Sequence, residues 1–288
     1  MKKILILGSN GLIGNNITRY LKRKKLKIYP MVKSKNEKFL NDIKFYYNKN
    51  ISSNKSIDNI IKIIERIKPH FVINCLGITK HRKTKKNLIC NVNLPKILLK
   101  NRKKLNFNLI HITSDCVFNG KKGNYDENHN TNAEDHYGIS KAKADQLLIK
   151  NSGVIILRTS TIGHEIKTKK GLLEWFLSQK KNVNGFKKAY FSGPTTLELS
   201  KIIYTYIIKK KVIKSGLYNI AGPKINKYKL LKIIKKIYNK NIIIKKEHKF
   251  KIDRSLNANK FYKVTKYKPK SWSKMISECK EFYIEYQF

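Results

Sequence analysis

An α/β fold with a parallel sheet is the fold class that the sequence predicts, and three observations predict it. In the first 160 residues, short apolar runs alternate with amphipathic segments, as they do in βαβ units. The first run ends in a glycine-rich turn that opens a helix. After residue 160 the alternation loosens, which indicates a second and smaller unit. We therefore expect a Rossmann-type doubly wound parallel sheet with a smaller, discontinuous C-terminal lobe.

The candidate strands are short apolar runs, and the segments between them carry apolar residues at spacings of three and four. Such spacings predict crossover helices. The runs cover residues 4–7, 28–32, 43–47, 71–76, 109–112 and 154–157, and the helical segments cover residues 12–24, 57–67, 88–103 and 134–149. Later in the chain, helices are predicted at 171–179, 197–209, 228–238 and 273–286, with a strand at 216–220.

The chain shows no internal repeat and no flexible linker, so the second unit should fold against the carboxyl edge of the sheet. We expect a nucleotide-binding Rossmann domain over residues 1–160, to which residues 195–221 return. The remaining residues, 161–194 and 222–288, are expected to form the substrate-binding lobe.

The charge balance is strongly basic, with 64 Lys and Arg against 18 Asp and Glu, a formal charge of +46. Such a charge suggests a polyanionic partner, but only seven of the cations are the arginines that nucleic-acid surfaces favour. Lysine is instead spread along the whole chain with abundant isoleucine and asparagine, as an A/T-rich genome would produce. We expect no nucleic-acid partner, and a positive field that favours anionic small molecules.

The four cysteines and seven histidines lack the paired spacings of metal sites or small disulfide frameworks. No metal is therefore expected. No apolar stretch approaches the length that spans a membrane, and the apolar run at the start is too short for a secretory signal. These features predict a cytoplasmic protein with no membrane partner.

The turn after the first strand has the spacing Gly8-x-x-Gly11-x-x-Gly14. Glycines at these places permit a tight turn and bring backbone N–H groups close to a pyrophosphate at a helix N-terminus. The residues predicted to bind a dinucleotide here are Gly8, Asn10, Gly11, Leu12, Ile13 and Gly14.

The choice between NAD and NADP is expected to depend on the residues that follow the second strand. NAD enzymes commonly place a carboxylate there, on the ribose 2′-hydroxyl. Here the segment contains Lys33 and Ser34 and no acid, which favours NADP, although lysine is common throughout this chain. NADP is the preferred cofactor on this pattern, and NAD stays open.

Tyr137 and Lys141 lie four residues apart, on one face of a predicted helix. A nearby ammonium stabilises a phenolate and lowers the tyrosine pKa, so the phenol becomes a usable proton donor near neutral pH. The predicted strand that precedes this helix ends in Thr113 and Ser114, and strand ends are where such sheets bind ligands.

These motifs, taken in order, resemble the extended short-chain dehydrogenase/reductases, and within them the dTDP-4-dehydrorhamnose reductases and related sugar-nucleotide reductases of surface-polysaccharide pathways. The resemblance covers nearly the whole chain and is densest up to residue 160. It is carried by the glycine turn and by the segments 74–77, 91–93, 113–118, 137–141 and 157–160.

The resemblance implies a function for each matching position. Ser114, or its neighbour Thr113, would form the catalytic group with Tyr137 and Lys141. The cofactor would also contact Cys75, Leu76, Gly77, Asn93, Tyr137 and Lys141, and the substrate would contact Asp115, Cys116 and Val117.

Two departures from related enzymes narrow the activity. Dehydratases of the superfamily carry Thr-Asp-Glu where this chain has Ser114-Asp115-Cys116, so dehydration is not expected. Cys116 also stands where the rhamnose-pathway enzymes have tyrosine, which leaves the sugar open. Arg254 is a further candidate for substrate binding, because arginine is scarce here and can clamp a diphosphate with two hydrogen bonds.

The function predicted from the sequence is NAD(P)H-dependent reduction of a nucleotide-linked 4-keto-6-deoxysugar, by an oxidoreductase that could form a homodimer. Two alternatives remain. An NAD-dependent sugar-nucleotide epimerase would fit the same fold, and a non-catalytic NADP-binding regulatory subunit would fit it without chemistry. The complete Tyr137/Lys141 pair favours an enzyme over the subunit.

Overall fold

A computed structural model describes residues 1–32, 46–47, 53–78, 88–166 and 168–285 of the protein. Its larger sheet contains strands β1 (Lys3–Leu7), β2 (Lys27–Val32), β3 (Tyr46–Tyr47), β4 (Phe71–Asn74), β5 (Asn108–Ser114), β6 (Val154–Thr159) and β8 (Gly216–Asn219). All neighbouring strands in it are parallel, in the order β3-β2-β1-β4-β5-β6-β8. The predicted fold class is confirmed.

Nine α-helices lie within the described residues. They are α1 (Leu12–Lys22), α2 (Asn54–Ile67), α3 (Leu94–Arg102), α4 (His136–Leu148), α5 (Leu172–Ser178), α6 (Thr196–Ile202), α7 (Lys227–Ile237), α8 (Asn259–Thr265) and α9 (Trp272–Ile284). Three shorter helical segments adjoin them or the strands: a π-helical turn at Ile89–Asn93, a 3-10 turn at Asp115–Val117 and a π-helical segment at Ile203–Lys209.

The central strands are buried on both faces, as expected of a parallel sheet covered by helices. Every residue from Ile4 to Leu7 is fully buried, and alternate residues belong to different hydrophobic clusters. The strand order reverses between β1 and β4, and ligands of open α/β sheets bind at such a reversal, beyond the carboxyl ends of the strands. The fold therefore indicates a site where β1, β4 and β5 end.

A second sheet has three strands, β7 (Val183–Phe191), β9 (Ile225–Asn226) and β10 (Ile244–Asp253), in the order β10-β7-β9. The sequence analysis did not predict these strands. Lysines interrupt β7 and β10, and most of the β10 side chains are exposed, so no continuous apolar run marks them. This sheet packs against a cluster that includes Phe176, Leu230 and Trp272.

A buried ion pair joins α4 to β6. Arg158 Nη2 lies 3.2 Å from Asp145 Oδ2, and the two side chains are only 3% and 4% exposed. Burial raises the pKa of Asp145, and the charges of Arg158 and Lys141 oppose that rise. Removing one partner of such a pair leaves an uncompensated buried charge.

We therefore expect Arg158→Met to lower the free energy of unfolding by about 3–5 kcal/mol, as measured by urea unfolding. The matched control is Lys121→Met, which removes an exposed ion pair with Glu134, with side chains 80% and 70% exposed. Screened surface pairs contribute little, so the control should unfold like the wild type. Equal stability of the two variants would show that the buried ion pair contributes no more to stability than the exposed one.

Candidate active site

In the glycine turn after β1, the backbone of the turn packs directly against the start of α1. Gly8 has a φ of +82°, which favours glycine, and its carbonyl oxygen accepts a 3.0 Å hydrogen bond from Gly11 N–H. A Cβ added at Gly14 would lie 2.2 Å from that same oxygen. The spacing predicted from the sequence therefore has a steric cause, because α1 passes directly over the turn.

The first turn of α1 fits the pyrophosphate of a dinucleotide. The N-cap residue is Gly11, which makes no side-chain cap hydrogen bond, and the first turn of the helix contains no acidic residue. Its backbone N–H groups and the positive end of the helix dipole favour an anion. The predicted residues Asn10, Leu12 and Ile13 belong to this turn or to its helix start.

The loop after β4 lies against the same turn. Cys75 N–H donates to Leu7 O at 3.1 Å, and a Cβ at Gly8 would meet Leu76 Cδ2 at 2.9 Å. Gly77 follows directly and is exposed. The structure thus brings the predicted cofactor residues Cys75, Leu76 and Gly77 beside the glycine turn.

Other predicted cofactor residues are placed differently. Lys33 and Ser34 lie outside the described residues. Asn93 is exposed, whereas Asn91, two residues earlier, is fully buried. Asn91 Nδ2 donates to Ser140 Oγ at 2.9 Å, and its Oδ1 accepts from Ile78 N–H at 2.9 Å. Asn91 links the loop after β4 to α4 by these hydrogen bonds, so it is a better candidate than Asn93 for shaping the site.

Ser114 ends β5 and begins the 3-10 turn. Its Oγ accepts a hydrogen bond from Cys116 N–H at 3.1 Å and contacts Asp115 Oδ1 at 3.2 Å. The Ser114 hydroxyl also lies close enough to the phenol of Tyr137 to lower its pKa. Thr113 lies beside Asp145 instead, as alternation along a strand requires. Of the two predicted hydroxyls, Ser114 is therefore the one that faces Tyr137.

The start of α4 positions Tyr137. Asp135 caps the helix by accepting from Gly138 N–H at 2.8 Å, which fixes the first turn. A Cβ at Gly138 would lie 2.1 Å from Cys116 O, so glycine lets the helix approach the 3-10 turn closely. These contacts hold the half-buried Tyr137 beside Ser114.

The electrostatics of Tyr137 differ from the sequence prediction. Burial raises the pKa of its phenol, Cys116 and Asp115 add to the rise, and the Ser114 hydroxyl opposes it. The predicted lowering by Lys141 is not what this structure shows, because the Lys141 side chain points towards β5. The phenol consequently stays protonated at neutral pH, the form that donates a proton.

Lys141 is 3% exposed and lies under the carboxyl end of β5. Its Nζ donates to Ile112 O at 2.8 Å and lies 3.5 Å from His111 Nε2. Burial lowers the pKa of Lys141, while the charges of Asp145, Cys90 and Cys75 oppose that shift. The position is one helical turn from Tyr137, as the sequence predicts.

The predicted substrate residues Asp115, Cys116 and Val117 form the 3-10 turn, the predicted substrate turn. Asp115 and Val117 are buried, and Cys116 is half-buried. Arg254 Nε donates to Phe118 O at 2.8 Å, and its Nη1 lies 3.5 Å from Cys116 Sγ. The structure therefore brings Arg254 to the same turn, from a segment more than 130 residues away in the chain.

Lys227 is a candidate that the sequence analysis missed. It is the first residue of α7, and its Nζ lies 4.8 Å from the Phe191 ring centroid. Burial lowers its pKa, and the charges of Asp115 and Cys116 oppose the shift, which places the amine near the substrate turn. Abundant lysine hid this residue, so no sequence signal distinguished it.

His164 is a structural residue in this fold. Its Nδ1 lies 2.6 Å from Glu174 Oε1, its Nε2 lies 2.7 Å from the Tyr238 hydroxyl, and its ring stacks on Tyr283. Across the described part of the chain, no group of His, Cys, Asp or Glu could hold a metal ion. The helices described there are also too short or too polar to cross a membrane.

Solved structures similar to this chain include several sugar-nucleotide enzymes. A dTDP-4-dehydrorhamnose reductase from Bacillus anthracis in complex with NADP is 19% identical, with 99% of each chain covered and a TM-score of 0.78. A dTDP-glucose 4,6-dehydratase from the same organism in complex with NAD is 19% identical, covering 99% of this chain and 97% of its own, with a TM-score of 0.79.

A UDP-Glc/GlcNAc 4-epimerase from Campylobacter jejuni is 14% identical, covers 99% of this chain and 100% of its own, and has a TM-score of 0.77. At these identities the likeness shows the fold, which reductases, dehydratases and epimerases share. A search among curated proteins found no significant match. The family model described as the RmlD substrate binding domain matches residues 1–281, so the chain belongs to that family.

Proposed function

We propose that this protein is an NAD(P)H-dependent oxidoreductase that reduces the keto group of a nucleotide-linked 4-keto-6-deoxysugar. The observation that carries the proposal is the position of the Tyr137 phenol beside the Ser114 hydroxyl, at the carboxyl end of β5, with a raised pKa that keeps the phenol protonated. The dinucleotide-binding turn after β1 opens at the same edge of the sheet. Membership of the RmlD family supports the reductase assignment.

Each residue has a separate task in this proposal. Bound NAD(P)H supplies the hydride. Tyr137 donates the proton to the carbonyl oxygen, and Ser114 orients that oxygen by a hydrogen bond. Lys141 holds the nicotinamide ribose. The cofactor-binding groups are the backbone of residues 8–14 and the loop of residues 75–77.

NADP is proposed as the preferred cofactor, on the Lys33 and Ser34 pattern of the sequence. The solved relatives include complexes with NADP and with NAD, so both are to be tested. An epimerase would retain NAD and consume no reduced cofactor, and a regulatory subunit would bind NADPH without turnover.

The test is a spectrophotometric assay at the nicotinamide absorbance band, with NADPH and NADH against dTDP-, UDP- and GDP-linked 4-keto sugars. Stoichiometric oxidation of NADPH with one of them supports the proposal. Tight NADPH binding without oxidation of any substrate in the panel would favour the subunit. Product isomerisation with constant NADPH absorbance would favour the epimerase.

A substrate diphosphate is proposed to bind Arg254, whose guanidinium keeps further N–H groups beyond its bonds to the substrate turn. We expect Arg254→Met to raise the KM for the nucleotide sugar by about 10- to 100-fold, because a hydrogen bond to a charged group contributes about 1.5–3 kcal/mol.

Initial rates at varied substrate measure this KM. The control is Arg102→Met, since Arg102 Nη1 also donates to a backbone oxygen, Phe107 O at 3.4 Å, beside the amino end of β5. A KM that stays at the wild-type value in Arg254→Met would remove Arg254 from the substrate site. An equal rise of KM in Arg102→Met would show that the loss of any arginine weakens substrate binding, whatever its position.

The division of the chain into a cofactor domain of residues 1–160 and 195–221 and a substrate lobe of residues 161–194 and 222–288 is also a proposal. Two observations support it: β8 extends the large sheet, and β7, β9 and β10 form the separate one. The homodimer stays a prediction, for which light scattering in solution is the measurement.

A further inference from the structure

Asp145 is a buried carboxylate one helical turn beyond Lys141, and the reaction described above gives it no task. Both residues belong to α4, and each is only 3% exposed. Residues four apart on a helix lie on one face, with their Cβ atoms about 5–6 Å apart. Asp145 therefore extends the pair formed by Tyr137 and Lys141 by one more turn of the same helix.

The two charged groups of α4 lie against successive residues of β5. Lys141 Nζ donates to Ile112 O at 2.8 Å, and the Asp145 carboxylate lies close enough to the Thr113 hydroxyl to have its pKa lowered by it. From β6, Arg158 Nη2 donates to Asp145 Oδ2 at 3.2 Å. Within the described part of the chain, Asp145 Oδ1 accepts no hydrogen bond. Arg158 thus occupies only one of the two carboxylate oxygens.

The other described groups that act on the Lys141 amine are uncharged at neutral pH. The thiols of Cys75, in the loop after β4, and of Cys90, in the π-helical turn, are buried. Burial raises their pKa values to about 12 and about 11. The ring of His111 faces the amine from β5, and burial together with Lys141 holds the pKa of His111 well below its usual range. Among these groups, Asp145 provides the negative charge.

A buried ammonium ion needs such a charge to stay protonated. Burial lowers the pKa of Lys141, and the charge of Asp145 is the largest influence that opposes this fall. A charged amine is the stronger hydrogen-bond donor to a ribose hydroxyl, and it attracts an anionic dinucleotide. Without Asp145, the same burial would favour the neutral amine.

We propose that Asp145 is a positioning residue, the buried counter-ion that keeps Lys141 an ammonium ion at the place where NAD(P)H binds. The part of this inference that concerns cofactor binding rests on the proposed function, which assigns the nicotinamide ribose to Lys141. The part that concerns the charge of Lys141 does not rest on it, and this charge can be measured without a ligand.

The competing explanation is that Asp145 serves only to pair with Arg158 and to tie α4 to β6. Two substitutions break this ion pair from opposite sides. Asp145→Asn removes the pair and the counter-ion of Lys141, whereas Arg158→Met removes the pair and leaves the counter-ion in place. The double variant Asp145→Asn/Arg158→Met leaves neither charge of the pair buried alone, so it covers the case in which the single variants do not fold.

The first measurement is the pH titration of the Lys141 side chain by NMR of ¹³C-labelled lysines, with its resonance assigned by its absence from Lys141→Met. Asp145→Asn and the double variant should lower the titration midpoint of Lys141 by about one pH unit or more, the effect typical of losing a nearby opposite charge. Arg158→Met should not lower it, since the carboxylate remains. The control is Asp58→Asn, which removes an equal charge from an exposed position on α2.

The second measurement is the dissociation constant of NADPH from neutral to alkaline pH, followed by the fluorescence of the bound cofactor. The affinity of the wild type should fall about fivefold as Lys141 loses its proton, because a charge-assisted hydrogen bond becomes a neutral one. In Asp145→Asn the same fall should occur at a lower pH. In Lys141→Met it should be absent, whichever residue stands at position 145.

An unchanged Lys141 midpoint in the folded Asp145→Asn or double variant would overturn the proposal. An equal lowering in Arg158→Met would also overturn it, because the effect would then belong to the broken ion pair. A lowered midpoint with wild-type NADPH affinity at every pH would overturn the part that concerns the cofactor. If the wild type reduces no keto sugar, the proposed function fails, while the titration of Lys141 still decides the role of Asp145.

Discussion

Tyr137→Phe should lower kcat for keto-sugar reduction by about 10²- to 10⁴-fold, the contribution typical of a positioned proton donor. The change removes one oxygen and keeps the ring beside the 3-10 turn. The dissociation constant of NADPH should stay near the wild-type value, since the other cofactor contacts are proposed to come from the glycine turn and the loop after β4.

Stopped-flow or steady-state NADPH oxidation measures the loss, and Tyr206→Phe is the matched control. Tyr206 packs edge-on against Phe261 and lies in the segment Ile203–Lys209, which contains none of the predicted site residues. Turnover of Tyr137→Phe at the wild-type rate would exclude Tyr137 as the proton donor. An equal loss in Tyr206→Phe would show that the assay reports instability of the fold.

The pH dependence of kcat follows from the pKa of the same phenol. Reduction needs the protonated form, and a raised pKa keeps that form populated to higher pH. Because the group is active below its pKa, kcat should fall only as the pH rises well past neutral. Lowering the pH from neutral should therefore leave Tyr137 protonated and able to donate. A fall in kcat at acid pH that depends on Tyr137 would contradict the raised pKa.

The parts of the fold that the sequence predicts best are those with a local signal. The buried strand β1 is a continuous apolar run, and the glycines that follow it are required by a close backbone approach. Tyr137 and Lys141 could be placed on one helix face from their spacing alone. The hydroxyl that faces Tyr137, Ser114, follows from strand alternation once the register of β5 is known.

The features that escaped prediction lack such a local signal. Strands β7 and β10 carry lysines on an exposed face, so their apolar residues do not form a run. The helix α4 buries Lys141 and Asp145 against β5 and β6, where apolar residues would be expected. The groups near these two side chains are Arg158 and His111, which lie 13 and 30 residues away in the sequence and on strands whose register the sequence does not give.

The prediction that the pKa of Tyr137 is lowered was wrong for the same reason. From the sequence, an ammonium four residues away should lower it. In the folded protein the amine is held by Ile112 O and faces His111, and the phenol is buried beside Cys116 and Asp115. Helical spacing places two side chains on one face of a helix, but the atoms that each one contacts depend on the neighbouring strand.

Gly14→Ala should weaken NADPH binding by about 100-fold, the second large effect expected in this protein. The added methyl carbon would lie 2.2 Å from Gly8 O, 2.7 Å from Gly8 C and 3.0 Å from Ser9 Cα, all backbone atoms that no rotamer change can move. The start of α1 must therefore shift away from the turn, and its N–H groups with it. Loss of two hydrogen bonds to a charged phosphate, at about 1.5 kcal/mol each, gives this factor.

The measurement is the fluorescence of bound NADPH, with thermal unfolding recorded in parallel. Gly171→Ala is the matched control, because that glycine also precedes a helix, and the three atoms nearest its added methyl would all belong to the Glu165 side chain, the closest at 3.2 Å. The control should bind NADPH like the wild type. Since the clash is with the turn itself, the Gly14→Ala defect should persist at temperatures where the variant is fully folded. A folded Gly14→Ala protein with wild-type affinity would show that the pyrophosphate does not bind at this helix start.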